Sequence, residues 1–408
     1  MTGGYFFVDM NSFFASVEQQ ERKELRGRPI IVAPLLADST CAIAASSEAK
    51  ALGIGTGTPV RKAKLICPEI RVIEARPRVY LDYHAAILEE LNGIFTSVKA
   101  LSVDEMACGV GRNYRGRERE LCLLVKARFR SRLGEMMRCS TGVAPNVFLA
   151  KVAAETQKPD GLTIFEEADL PGKLFDLHLL DLPGIGPRMA ARLERSGIRT
   201  VEQLYAASAA ELRMAWGSVV GARWWYMLRG SLEADYGAYL PEVRKSVGHS
   251  HVLPPEFRTT EGAKAILMRL FSKALERLRK YGQLAGSVQV QALYRGDRSG
   301  DTYSWRAARR KCVPANDGVT WLKSVRPLVD GLPAPRLGFH LKWVGITFTD
   351  LLLKQDLNLS LFTEDEAKVN LGATLDAINA KCAGKVGMGD GYLLREEAPV
   401  RIAFGQVC

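Results

Sequence analysis

The tightest constraint in this 408-residue chain is a pair of apolar segments that each run into acids. Tyr5-Phe6-Phe7-Val8 meets Asp9, and a helical pattern follows at once, with Phe14 and Val17 at helical spacing. Asn11 or Ser12 is placed to cap that helix. Val98 to Val103 meets Asp104-Glu105. Short β-rich apolar runs are buried strands, and α/β sheets place ligands at the carboxyl ends of strands. Three carboxylates gathered there, with a backbone carbonyl such as that of Met10, suffice for two Mg²⁺ ions, with Mn²⁺ as a substitute. One geometric condition applies: neighbours on a regular strand face opposite sides, so the chain must turn or bulge between Asp104 and Glu105. Taken singly, each acid reads more readily as a solvated turn carboxylate than as a metal ligand.

Charge narrows the partner. From Glu242 to Gly345 there are 19 Lys+Arg against 8 Asp+Glu, a surplus of +11 that equals the formal charge of the whole chain. A domain biased this way marks a polyanion, and nucleic acid is the expectation. No run approaches the roughly 20 apolar residues of a membrane span. The start of the chain does not read as a signal peptide, because Asp9 cuts its apolar run and no basic segment precedes it. Eight cysteines form no C-x-x-C pair and read as small buried hydrophobes in a reducing cytosol.

Further elements read along the chain as strands over Pro29–Pro34 and Cys139–Val143, and helices over Ser47–Leu52, Val79–Leu91, Leu121–Leu133 and Asn146–Thr156. Short helices gather around Leu182-Pro183-Gly184-Ile185-Gly186-Pro187, and Ala234–Val243 reads as a linker. The basic segment reads as helix Thr260–Tyr281, strand Ser287–Tyr294, an arginine-rich stretch, helix Val319–Leu328 and strand Trp343–Phe348, a small α+β domain.

The strings then carry more than the pattern. Phe7-Val8-Asp9-Met10-Asn11-Ser12-Phe13-Phe14-Ala15-Ser16-Val17-Glu18, Ser102-Val103-Asp104-Glu105 and Thr141-Gly142-Val143-Ala144-Pro145-Asn146-Val147-Phe148-Leu149-Ala150-Lys151 resemble, in order and spacing, three motifs of the Y-family (translesion) DNA polymerases, DinB/UmuC-like. Asn11 where a second Asp is frequent, the stretch Glu48–Gly53 and the long tail look closer to UmuC-like bacterial members. The resemblance implies an α+β multidomain right-hand polymerase. Residues 1–20 and 78–165 would form a ferredoxin-like palm and 21–77 small fingers. A helical thumb with a helix-hairpin-helix would span 166–233, a linker 234–246, an α+β little-finger domain 247–348 and a tail 349–408.

The same resemblance assigns roles. Asp9, Asp104 and Glu105 would be catalytic metal ligands, with Met10. Phe13 and Phe14 would line the nucleotide site, Phe14 as the steric gate against a ribose 2′-hydroxyl, and Lys151 would contact the triphosphate. Ser47 and Lys50 stand where many relatives carry Tyr and Arg; Lys50 keeps charge but loses bidentate geometry. Ala44, Ala45 and Ser46 hint at an open lid over the nascent base pair. Gly184 and Gly186 let backbone N–H groups approach a phosphate, with Arg188 beside them. Arg295, Arg298, Arg306, Arg309, Arg310 and Lys311 would grip DNA. Asn358-Leu359-Ser360-Leu361-Phe362 resembles a sliding-clamp peptide, with Leu359, Leu361 and Phe362 as anchors. The implied partners are primer–template DNA, a dNTP, the clamp, a UmuD-type accessory protein and a recombinase filament. The implied location is cytoplasmic and nucleoid-associated, with no membrane. The implied activity is low-fidelity translesion synthesis without proofreading. Two other readings stay open, a catalytically silent DNA- and clamp-binding scaffold and an unrelated repair enzyme built around the hairpin.

Overall fold

Strand β1 (Tyr5–Met10) is central because its side chains are apolar on both faces, and Phe6, Phe7 and Val8 are wholly buried. The computed structural model describes residues 4–38, 40–111, 114, 116–231, 244–297, 300–353, 356, 372, 374, 376–378 and 381. By contacts the chain divides at Leu240 into two compact units.

In the first unit β1 lies in a five-stranded sheet of order β5 (Val98–Ala100), β6 (Glu105–Gly109), β1, β7 (Cys139–Ala144), β8 (Leu162–Ile164). It runs antiparallel to β6 and β7. Phe6, Val8 and Met10 enter a core shared with α4 (Pro77–Asn92) and α5 (Glu118–Arg132), while Phe7 points to the other face, beneath α6 (Val147–Thr156). Asn146 caps α6 through its side chain. Gly142 on β7 lets α6 lie almost against the sheet: a Cβ there would fall 2.0 Å from the carbonyl oxygen of Ala150.

Two local expectations are corrected. The strand beginning at Val98 stops at Ala100 and does not reach the acids. The chain turns through Ser102, whose hydroxyl accepts the N–H groups of Glu105 (3.0 Å) and Asp104 (3.3 Å), and Glu105 opens the return strand β6. Helix α1 (Phe13–Glu21) also has no side-chain cap, because Ser12 adopts the left-handed region at φ 50°. Asn11 instead ties the end of β1 down: its amide donates to Ser140 Oγ (2.9 Å) and its carbonyl accepts Asp160 N–H (2.7 Å). A carboxylate could not donate that first bond.

A small three-stranded sheet, β3 (Ala44–Ala45), β2 (Ile30–Ala33), β4 (Arg71–Glu74), carries α2 (Ser47–Ala51) and α3 (Val60–Ile66). Ala44 and Ala45 are buried in it and Ser46 just beyond it, at 7%, 0% and 1% exposure. Ser46 caps α2 by accepting Ala49 N–H. A helical segment follows the five-stranded sheet: α7 (Gly172–Phe175), α8 (Pro187–Arg195), α9 (Val201–Ala206), α10 (Ala209–Trp216) and α11 (Val219–Leu228).

The second unit is an antiparallel sheet with α12 (Thr260–Lys280) and α13 (Gly318–Asp330) on one face. Its order is β11 (Thr302–Ala315), β10 (Gln283–Gly296), β12 (Phe339–Leu353), β9 (Ser246–Val252). The arginine-rich stretch is thus an edge strand, β11. Arg279 on α12 holds Asp376 through two 2.6 Å bonds. The linker Ala234–Val243, the clamp-like peptide Asn358–Phe362 and Arg298 lie outside the described residues.

Glu18 ties α1 to α4. Its wholly buried carboxylate accepts two bonds from Arg76 (2.9 and 2.8 Å) and one from Tyr80 (2.7 Å). A buried charge left without its partner is strongly destabilising. Arg76→Ala should therefore lower unfolding stability by about 3 kcal/mol in a denaturant titration. A change within roughly 0.5 kcal/mol, the usual range for surface positions, would show that Tyr80 and Arg22, whose guanidinium lies 3.7 Å from Glu18, suffice for it.

Candidate active site

Register brings the first two acids together. Asp9 and Glu105 are Cα partners across β1 and β6, and directly opposed residues of an antiparallel pair share a face. That face is the one α6 covers. Lys151 on α6 bonds both oxygens of Glu105 at 2.7 Å. One helical turn on, Glu155 lies over the same face. Carboxylate oxygens of Asp9, Glu105 and Glu155 lie within 4.8 Å of one another. Lys158, just past the helix, completes the group, with its ammonium 2.9 Å from Asp9 and 2.7 Å from Glu155.

The electrostatics follow from burial. Asp9 is 8% exposed, and burial pushes its carboxyl up to about 7, although Lys158 pulls the other way; Glu155 and Glu105 add to the rise. Burial pulls the Lys158 ammonium down, but its pairing with Asp9 and Glu155 more than reverses this and leaves it raised. Lys50 on α2 is within electrostatic reach: burial lowers it first, and Lys158 lowers it further. The donor set is hard oxygen, clustered and partly out of water, which suits Mg²⁺ or Mn²⁺ rather than a soft-ligand metal.

Asp104 is placed differently from the expectation. Its peptide oxygen accepts Met10 N–H (3.0 Å) and its carboxylate accepts Ser102 Oγ–H (2.6 Å), so it stands beside the three clustered acids rather than among them. Met10 is buried under the site at 2% exposure. Phe13 is buried, and half-buried Phe14 stacks on Tyr80 at 4.6 Å. Ser47 is exposed at the start of α2. Glu155 and Lys158 were missed from sequence, although the spacing of four from Lys151 to Glu155 was the available signal.

A cleft of about 800 Å³ leads from Lys151 and Glu155 to the turn Leu182–Gly186. Gly184 has φ 101°, which only glycine adopts freely, and a Cβ there would stand 3.3 Å from Trp224. Gly186 opens α8, with Arg188, Arg192 and Arg195 exposed along it. In the second unit the register sorts the arginines. Arg310 pairs with Ser287 and Arg306 with Gln291, on the face away from the helices, as does Arg295. Arg309 faces the side of buried Val288, and the Lys311 ammonium stands 5.3 Å from the ring of Trp321 on α13. The proposed Arg309-Arg310-Lys311 grip is thus divided between two faces.

With this geometry in hand, comparison settles the class. Residues 8–155 match the impB/mucB/samB family, residues 244–361 its C-terminal domain, and residues 180–231 the DNA polymerase-iota thumb domain. A DNA polymerase IV of Moorella thermoacetica is 37% identical over 69% of this chain and 71% of its own length. One of Pelotomaculum thermopropionicum is 32% identical over 91% of this chain and 90% of its own. A solved Y-family polymerase chimera of Dbh and Dpo4 superposes with a TM-score of 0.69 at 23% identity, covering 86% of this chain and 99% of that one. An insertion ternary complex of Dbh DNA polymerase superposes at 0.55 and 22% identity, with the same coverage. The chain belongs to the Y-family DNA polymerases, DinB-like, and has their α+β fold. A UmuC-like subtype is not distinguished by these relatives. Among the described residues no helix is long and apolar enough to cross a membrane.

A proton and a cation compete for Asp9. With its pKa at about 7, the ionised fraction rises about tenfold from roughly pH 6 to roughly pH 8. Mn²⁺ affinity, measured without DNA or nucleotide, should tighten by about that factor over the interval. A flat profile would show that Asp9 does not bind the ion or that burial does not raise its carboxyl into this range.

Proposed function

We propose that this DNA-directed DNA polymerase extends a primer by two-metal nucleotidyl transfer at Asp9, Asp104 and Glu105, performs translesion synthesis, and does so without proofreading. The observation that carries the reading is the opposed pair Asp9 and Glu105, each held by a lysine from the α6 segment. Two bound divalent ions would lower the pKa of the primer 3′-hydroxyl and stabilise the attacking and leaving oxygens.

The remaining work belongs to the chain. The ammonium groups of Lys151 and Lys158 neutralise the acids in the metal-free protein. With cations on the carboxylates, both lysines would be available to the triphosphate, which each would serve as a point charge. Asp104 joins Asp9 and Glu105 by turning away from Ser102. Lys50 adds a third positive charge on the triphosphate side, beside exposed Ser47. Phe14, held by its stack on Tyr80, limits the space beside the sugar, with Phe13 behind it. Backbone N–H groups around Gly184 and Gly186, with Arg188, hold a primer phosphate without reading its base. Arg295, Arg306 and Arg310 contact the duplex backbone from the open sheet face. Docking on a sliding clamp through Leu359, Leu361 and Phe362, and contact with a UmuD-type protein and a recombinase filament, belong to the same proposal and are supported by sequence alone.

Primer extension tests the central claim. Asp9→Ala and Glu105→Ala should each lower extension by at least about a hundredfold while primer–template binding persists, since each removes a ligand of the ions that carry the chemistry. Extension that survives both substitutions would move the chemistry elsewhere, and extension absent from the wild type as well would favour a DNA-binding scaffold. The basic face has its own test. Each phosphate contact contributes roughly one unit to the slope of log affinity against log salt. Arg306→Gln with Arg310→Gln should flatten that slope by roughly two. An unchanged slope would remove this face from the DNA path.

A further inference from the structure

The open face of the second sheet holds an apolar feature that phosphate contacts do not explain. Along β12, Leu341 and Val344 are both wholly buried against the helices. Strict alternation allows one residue between two such positions to face outward, or three, yet two lie between them, Lys342 and Trp343. The register shows how. Leu293 on β10 pairs with Trp343, and its neighbour Tyr294 pairs with Leu341, so Lys342 is the extra residue of a β-bulge. Bulges re-aim side chains. This one keeps Leu341 and Val344 in the core and sets Lys342 and Trp343 side by side on the open face.

The indole is then laid down along the strand. A Cβ on Gly345 would fall 2.8 Å from Cη2 and 2.9 Å from Cζ2 of Trp343, so the ring occupies the space a side chain at 345 would take. Trp343 pairs with Leu293 on one side and with Val252 on the other. Val252 is 45% exposed. Three apolar side chains thus form a bar across three adjacent strands, about 10 Å from end to end at ordinary strand spacing. Its surroundings are hydroxyls, amides and cations: Ser250, Gln291, Ser304, Arg306 and Lys342. Among the described residues Asp350 reaches this face at its far end, bonded to Ser287 Oγ at 2.8 Å and 3.6 Å from Arg310.

We propose that the bar Val252–Trp343–Leu293 packs against the deoxyribose rings of duplex DNA and gives this polymerase a salt-independent share of its grip. This rests on the polymerase reading above. The occupant follows from the charge pattern: a basic, hydroxyl-rich field selects a polyanion, and the carbon-rich part of a nucleic-acid backbone is its sugar. Lys342, beside the ring, meets the phosphate attached to that sugar. Contact of this kind reads no sequence. It also releases no counterions, so it shifts the line of log affinity against log salt without changing its slope.

The experiment is binding of a labelled primer–template by the full chain across a salt series, for wild type, Trp343→Ala, Gly345→Ala and the Arg306→Gln, Arg310→Gln pair, each checked for folding by its thermal transition. Trp343→Ala should weaken binding about tenfold at every salt concentration, on the scale of losing part of one buried apolar side chain. Its line should run parallel to that of the wild type, while the arginine pair flattens the slope. Gly345→Ala keeps the indole but displaces it, and should give a parallel shift of the same sign. Undiminished binding in a folded Trp343→Ala, or a loss that vanishes at high salt, would overturn the proposal. A wild type that neither binds nor extends a primer–template would sink the polymerase reading instead, which is a separate result.

Discussion

Two carboxylates facing each other across one antiparallel register set the terms for everything around them. Asp9, near the end of β1, and Glu105, at the start of β6, sit opposite one another, with Asp9 almost wholly out of water. Buried carboxylates of like sign are costly unless paired or neutralised. The chain meets that cost with the α6 segment, which delivers Lys151 to Glu105 and Lys158 to Asp9. The arrangement already places ammonium groups where the clustered acids require positive charge.

Much of this was legible in the chain itself. The strand into Asp9, the strand over Cys139–Val143 and the helix from Asn146 announce themselves by apolar runs and a capping residue, and Lys151 falls on that helix. What the sequence hides is pairing. The turn at Ser102 makes Glu105 the first residue of a returning strand, and that depends on a hydroxyl accepting two backbone N–H groups, which no periodicity reveals. Glu155 and Lys158 become site residues only once α6 is known to lie on the face that carries Asp9. Ser12, expected as a cap, has a left-handed backbone, and Asn11 spends its amide on long-range bonds instead.

The second unit teaches the same lesson about faces. A run of basic residues in sequence looks like one patch, but on β11 alternate residues part company: Arg310 joins Arg306 on the open side while Lys311 turns toward Trp321. The charge surplus of this domain was readable by counting, and the side on which it acts was not. The bulge at Lys342 breaks the alternation a second time and could not be placed without the register of β10 against β12.

Gly142 has a kinetic meaning beyond close packing. With the carbonyl of Ala150 where a Cβ would need to be, α6 rests on the sheet with no room to slide or lift without opening the core. The backbone beneath Lys151 and Glu155 is therefore a fixed frame, and the moving parts are long, flexible lysine arms. Both arms are ion-paired to the acids, so their release means breaking those pairs and not moving the helix. Any rearrangement of charge around the acids is thus confined to two lysine side chains on a backbone that stays in place.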